Sequence, residues 1–197
     1  MILIKHRINN IKELKLVDQK YGIEIDIRSQ KNRLFLNHDP FKNGVDFDSF
    51  LKKFKHNFLV VNVKEEGIEF KILNKLKKNK IKNFFLLDVT IPQLVKILKT
   101  KNERRIAFRI SKYEGIEGAL KLANRISWIW LDTFDGKLPI SFNQIKKLKQ
   151  KKFKICLVSP ELPMKRISHL HKLKNKIYKK INFFDAVCTK KPNIWES

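Results

Sequence analysis

Four residues near the start of the chain could do chemistry together: His6, Glu24, Asp26 and His38. Glu24 and Asp26 are two apart in the run Gly22-Ile23-Glu24-Ile25-Asp26. On a strand that spacing points both side chains to one face. Two neighbouring carboxylates that lose their water repel unless a cation or a shared proton separates them. A hard divalent cation with oxygen ligands, Mg²⁺ or Ca²⁺, is the natural solution. The competing reading is that the pair forms ion pairs with Arg7, Arg28 or Lys64. Asn62 and Lys64 repeat the two-residue spacing further on. The first can offer an amide oxygen to a metal, the second a charge to a phosphate. His6 and His38, each followed by a charged residue, flank the acidic strand, which suits a general acid and a general base. Either histidine alone would more often be structural.

These residues need a scaffold that brings strand ends together. Short apolar runs alternate with amphipathic stretches along the whole chain. Strands are predicted over 2–6, 23–27, 58–63, 84–88, 105–110, 127–132, 154–158 and 184–188, with a further short segment at 34–37 before His38. Helices are predicted over 10–21, 48–54, 68–79, 91–100, 116–124, 141–151 and 164–176. Pro92 after Thr90, and Ser141 ahead of its apolar run, are helix-start signals. Strands such as Phe84–Leu87 are apolar on both faces, as in a parallel sheet covered by helices. Eight such units without a long polar linker imply the α/β class, as a minimal (β/α)8 TIM barrel in one domain over 1–197. An open doubly wound sheet is the alternative. No glycine-rich loop follows the first strand, which argues against a dinucleotide site.

Barrels of this kind carry their chemistry where strands end. Asp88, Arg109, Glu114, Asp132, Ser159 and Glu161 stand at or just beyond such ends and form a second rank of pocket candidates, each with a strand-end ion pair or helix cap as its alternative. Trp130 is a further pocket candidate, with core packing as the plainer role for both it and Trp128.

Charge is the other conspicuous feature. The 197 residues carry a formal net charge of +25. Only eight of the 44 basic residues are arginine, however, and the lysines lie on helical stretches that also carry Ile and Leu at three-to-four spacing. Groove readers favour the arginine fork, and the aromatic signatures of RNA modules are absent. No specific nucleic-acid partner is expected. A weak contact with an anionic membrane surface is the residual expectation from charge. Cys156 and Cys188 read as buried thiols, because two cysteines make no disulfide framework. No apolar run approaches the ~20 residues that span a bilayer, and no secretory leader is read at the start, so a cytoplasmic address is expected.

The motif set resembles the glycerophosphodiester phosphodiesterases, within the wider phosphatidylinositol-phospholipase-C-like barrels. The matching residues are His6-Arg7-Ile8 for an HRG motif, Glu24-Ile25-Asp26 for an acidic pair, His38-Asp39 for an HD motif, and Val187-Cys188-Thr189-Lys190-Lys191-Pro192 for the last strand. Segments 62–67, 84–92, 108–115, 130–136 and 156–162 resemble a compact bacterial branch found with surface-polysaccharide genes. The resemblance implies a phosphoric diester hydrolase acting on a glycerophosphodiester-like, lipid or glycan phosphodiester. It implies a metal on Glu24, Asp26 and Asn62, phosphate contacts from Arg7 and Lys64, and acid–base catalysis by His6 and His38. Two departures stand out. Ile8 replaces a glycine, so a positive φ is costly there, and neutral Asn62 stands where an acidic ligand is usual. Both motivate a rival reading, a catalytically degenerate barrel that binds a phosphorylated ligand. A nucleic-acid or anionic-surface binder is a third. The brief segment between His38 and the next major strand implies an open pocket.

Overall fold

Local signals start most of the elements. Asn10 accepts the Glu13 N–H (2.8 Å) and caps the first helix. Ser141 and Gln144 form a reciprocal capping box on the sixth. Pro92 sits in the first turn of the fourth, after Thr90. A computed structural model describes residues 1–196. In chain order its elements are β1 (Ile2–Lys5), α1 (Ile11–Leu16), β2 (Gly22–Gln30), β3 (Arg33–Leu36), β4 (Val45–Asp46), α2 (Phe47–Leu51), β5 (Leu59–Val63), α3 (Glu69–Lys78), β6 (Phe84–Leu87) and α4 (Ile91–Thr100). There follow β7 (Ala107–Ile110), α5 (Ile116–Lys121), β8 (Trp128–Leu131), α6 (Phe142–Gln150), β9 (Lys154–Val158), α7 (Glu161–Met164), α8 (Ile167–Ile177), β10 (Ala186–Thr189) and α9 (Pro192–Glu196).

All eight major strands read from the sequence are present, and the segment before His38 is the antiparallel β3. The contacts divide the chain into two compact units, one of Lys5–Glu103 and one of Met1–Ile4 with Arg104–Ser197. In the first, β2 pairs in parallel with β5 and β5 with β6, while β3 and β4 extend the β2 edge antiparallel. In the second, β7, β8, β9 and β10 pair in parallel in that order, with β1 next to β10. Among the described residues β6 pairs with β5 and β7 with β8, with no closing pair, so the ladder is not sealed into the ring that the sequence predicts.

The core of the first unit is the apolar face of β2 and β5. Ile23, Ile25 and Ile27 are fully buried, as are Leu59 and Val61. Each such side chain contributes about 1.5–3 kcal/mol by leaving water. Alternation then fixes what the opposite face carries, namely Glu24, Asp26 and Arg28. The core of the second unit includes Ile129, Leu131, Ile155, Leu157, Cys156 and Cys188, all fully buried.

Several helices differ from the sequence reading: α2 ends at Leu51 and not at 54, α5 ends at Lys121 and not at 124, and two further differences have a local cause. The first helix stops at Leu16 instead of running to residue 21, because Asp18 starts a turn. Its side chain accepts the Lys20 N–H (2.9 Å) and its carbonyl the Tyr21 N–H (3.1 Å). The predicted helix over 164–176 is broken at Lys165, whose left-handed backbone (φ 54°) ends α7 before α8 begins.

Candidate active site

Register explains why distant residues meet. Asp26 on β2 lies beside Asn62 on β5, and Glu24 beside Val60. The two-residue period therefore places Glu24, Asp26 and Asn62 on one face. Glu24 and Asp26 are 1% exposed and Asn62 is 8% exposed. The Asn62 amide N–H donates to Glu24 Oε1 (3.3 Å). Its Oδ1 is buried and, among the described residues, accepts no hydrogen bond.

The loop after β1 closes over these carboxylates. The Arg7 backbone N–H donates to Glu24 Oε2 (2.7 Å), and His6 Nε2 stands 3.8 Å from that oxygen. Arg7 takes the left-handed conformation (φ 55°) that permits this turn. Ile8 does not need it. Its N–H donates to the Glu24 carbonyl (2.9 Å) and its side chain joins the core at 6% exposure. The strain that the sequence assigns to Ile8 thus falls on its neighbour.

Asp26 is held from three sides. Lys64 Nζ is 3.3 Å from Oδ1 and Arg7 Nε 3.5 Å from Oδ2. Asn9, which the sequence reading missed, donates its side-chain N–H to Oδ2 (2.8 Å) and accepts the Asp26 backbone N–H (2.8 Å). Its signal was the pair Asn9-Asn10, one more polar residue than the cap of α1 requires. Burial pushes Glu24 up to about 7, with Asp26 the second cause. The Arg7 N–H, Lys64 and the Asn62 N–H oppose that rise.

His38 lies just beyond β3. Its carbonyl accepts from Arg28 Nε (3.1 Å) and Nη2 (2.9 Å), and Arg28 Nη1 also reaches the Lys64 carbonyl (3.4 Å). Arg28 therefore ties the His38 loop to the end of β5, and does not pair with the acids as one reading of the sequence has it. The His38 ring meets Asp39 (2.9 Å) and is 41% exposed. A hydrogen bond from Lys42, and then one from His38, hold the Asp39 carboxyl down near 2. Between His38 and β5 the chain adds only β4 and α2.

The second-rank candidates divide differently. Asp88 follows β6, half-buried and in the left-handed region (φ 59°). The others lie in the second unit, where each has a partner. Arg109 pairs with Asp132, which also accepts from Trp130 Nε1 (3.3 Å). Trp128 and Trp130 are each 4% exposed, as core packing requires. Ser111 donates to Glu114 (2.9 Å) across a tight turn. Glu161 accepts from Ser159, from Thr189 (2.5 Å) and from the Lys190 N–H (3.1 Å), and Ser159 accepts from Trp195 on α9 (3.0 Å).

Among the described residues no three His, Cys, Asp or Glu side chains group to hold a metal. The donor set is instead two carboxylates and an amide. It fits a hard cation, because the orphaned Asn62 Oδ1 is an oxygen ligand buried on the face shared by Glu24 and Asp26.

No family model and no curated protein sequence matches the chain. Solved structures do. A glycerophosphodiester phosphodiesterase from Agrobacterium tumefaciens str. C58 is similar over 98% of both chains, at 12% identity and a TM-score of 0.67. A glycerophosphoryl diester phosphodiesterase from Parabacteroides distasonis ATCC 8503 matches 97% of this chain and 83% of its own, at 8% identity and TM-score 0.68. An Oleispira antarctica phosphodiesterase, in complex with the product sn-glycerol-3-phosphate, matches 100% and 96%, at 15% identity and TM-score 0.68. The chain therefore shares the α/β fold of these proteins. At such identities the likeness establishes fold alone, and function rests on the site.

Proposed function

We propose that the chain is a phosphoric diester hydrolase acting on a glycerophosphodiester-like, lipid or glycan phosphodiester. The observation that carries this reading is the set of buried oxygens of Glu24, Asp26 and Asn62, flanked by Arg7, Lys64 and His6. Carboxylates and cations so placed suit a phosphodiester, whose equatorial oxygens need neutralising while one ester bond breaks. The fold it shares with phosphodiesterases, one of them in complex with sn-glycerol-3-phosphate, supports the same reading.

Glu24, Asp26 and Asn62 would hold a divalent cation, Mg²⁺ or Ca²⁺. When bound, it supplies charge neutralisation at the phosphoryl oxygens. Arg7 and Lys64 bind the phosphate directly as charge-assisted donors. His6 and His38 act as the acid–base pair. One takes the proton of the attacking hydroxyl, from water or from a neighbouring hydroxyl of the substrate, and the other gives a proton to the leaving alkoxide. The Asp39 carboxylate beside His38 orients that ring, and the Arg28 bridge fixes its loop. A cytoplasmic address and weak contact with an anionic membrane surface belong to the same proposal. No helix among the described residues is long and apolar enough to cross a membrane.

The test is hydrolysis of glycerophosphocholine and of bis(p-nitrophenyl) phosphate, each with and without EDTA. Cation-dependent release of product is the expected result. Binding of sn-glycerol 3-phosphate without turnover of either substrate would instead favour the degenerate ligand-binding barrel, which the neutral Asn62 motivates.

A further inference from the structure

The charges around the acidic pair constrain how ligands can enter. Glu24 and Asp26 bring two negative charges into a place where each is 1% exposed. Two cations of the chain already face them, one at each Asp26 oxygen, with Lys64 at Oδ1 and Arg7 at Oδ2. Asn9 also donates to Oδ2. The amide oxygen on this face, Asn62 Oδ1, is buried and among the described residues accepts no hydrogen bond, but it carries no formal charge. With both acids ionised, the four charged side chains sum to zero.

A divalent cation arriving alone would lose part of its hydration at a site without net negative charge, close to two positive groups. A phosphodiester arriving alone would bring its negative charge toward two buried carboxylates. Together, each removes the other's obstacle. The phosphate draws Lys64 and Arg7 through charge-assisted hydrogen bonds and leaves the Asp26 oxygens to the cation. Both side chains have room to shift, since Lys64 is 19% and Arg7 43% exposed. An acidic residue at position 62 would tip the balance toward the cation alone, and this chain has an amide.

We propose that the divalent cation and the phosphodiester enter this site as a synergistic pair, with Lys64 changing partner from Asp26 to the phosphate. This rests on the reading of the site as a cation-assisted phosphodiester site. It adds the order of assembly and gives Asn62 a role in it, since a neutral ligand makes the cation depend on substrate.

The experiment is calorimetric titration of Mg²⁺ or Ca²⁺ into the full chain, with and without saturating sn-glycerol 3-phosphate, corrected for association of the ion with the phosphate in buffer. Cation affinity should rise by about tenfold or more with the phosphate present, and phosphate affinity should rise by the same factor with the cation present. Lys64→Gln should bind the cation alone more tightly than the unmodified chain does, with weaker coupling. Asn62→Asp should do the same without loss of Lys64, which separates the charge argument from any misfolding of one variant. Equal cation affinity with and without the phosphate, or weaker cation binding by a folded Lys64→Gln, would overturn the proposal. Hydrolysis measured on the same samples keeps the two readings distinct. Turnover with phosphate-independent cation binding overturns the coupling alone, whereas coupled binding without turnover overturns the hydrolase reading alone.

Discussion

The face shared by β2 and β5 and the C-terminal ends of β9 and β10 each bury a glutamate, to opposite effect. Glu161, 9% exposed, is met by two hydroxyl groups and a backbone N–H, and through Ser159 it reaches the indole of Trp195. Donors surround it on both carboxyl oxygens. Glu24, more deeply buried at 1%, faces another carboxylate, and its pKa is pushed up to about 7 by burial first and Asp26 second. Beside it the Asn62 oxygen accepts no hydrogen bond among the described residues. A satisfied buried network holds structure together, while an under-satisfied one waits for a ligand. The contrast separates a cluster whose donors reach a helix from the one that the proposed function takes as the reaction site, although both look like polar strand residues in the sequence.

Turnover offers the largest contrast. His6→Ala and His38→Ala should each lower the hydrolysis rate by about 10²- to 10⁴-fold while the melting temperature stays close to that of the unmodified chain. Full activity in either purified variant would remove the acid–base assignment. In the other cluster, Glu161→Gln should cost about 1–3 kcal/mol of stability in urea unfolding, because an amide N–H would be turned against donors. A neutral result would mean that the network around Trp195 is not what holds α9.

Glu24→Gln should behave in the opposite sense. In EDTA at pH 8 it should stabilise the chain by on the order of 1 kcal/mol, since it removes a charge that burial penalises. The same group makes stability depend on pH. Its folded pKa, about 7, lies above the ordinary value of 4.5, so between those values the folded state holds the extra proton. Stability from this group is therefore present in acid and lost as pH rises through 7. The difference between the unmodified chain and Glu24→Gln, measured in EDTA at pH 5 and pH 8, should widen at the higher pH. The smallest effect concerns neither cluster. Asn10→Ala removes the cap of α1 and should cost about 1 kcal/mol, readable as a modest fall in unfolding midpoint.

Much of this arrangement was legible beforehand, for identifiable reasons. Runs such as Phe84–Leu87 read as strands because they are apolar on both faces, and Ser141 announced its helix because capping is a local interaction. Glu24 and Asp26 could be placed on one face from spacing alone. What escaped notice was non-local. Asn9 grips Asp26 across 17 positions, and Arg28 turns away from the acids to hold the carbonyls of His38 and Lys64. The end of α1 was missed because Asp18 competes for backbone donors inside a sequence that keeps a helical pattern.

At the loop after β1 the division is plainest. The sequence by itself determined that a histidine and an arginine follow the first strand, that two acids share a face of the second, and that Ile8 would resist a positive φ. Those conclusions follow from side-chain chemistry and from the strand period, which need no knowledge of neighbours. The tertiary structure decided that Arg7 takes the left-handed turn, that Asn62 presents a buried oxygen without a partner among the described residues beside Glu24, and that Lys64 and Arg7 each stand beside an Asp26 oxygen. Only the register of β2 against β5 and the path of that loop set these distances, and both result from packing between segments far apart in the chain.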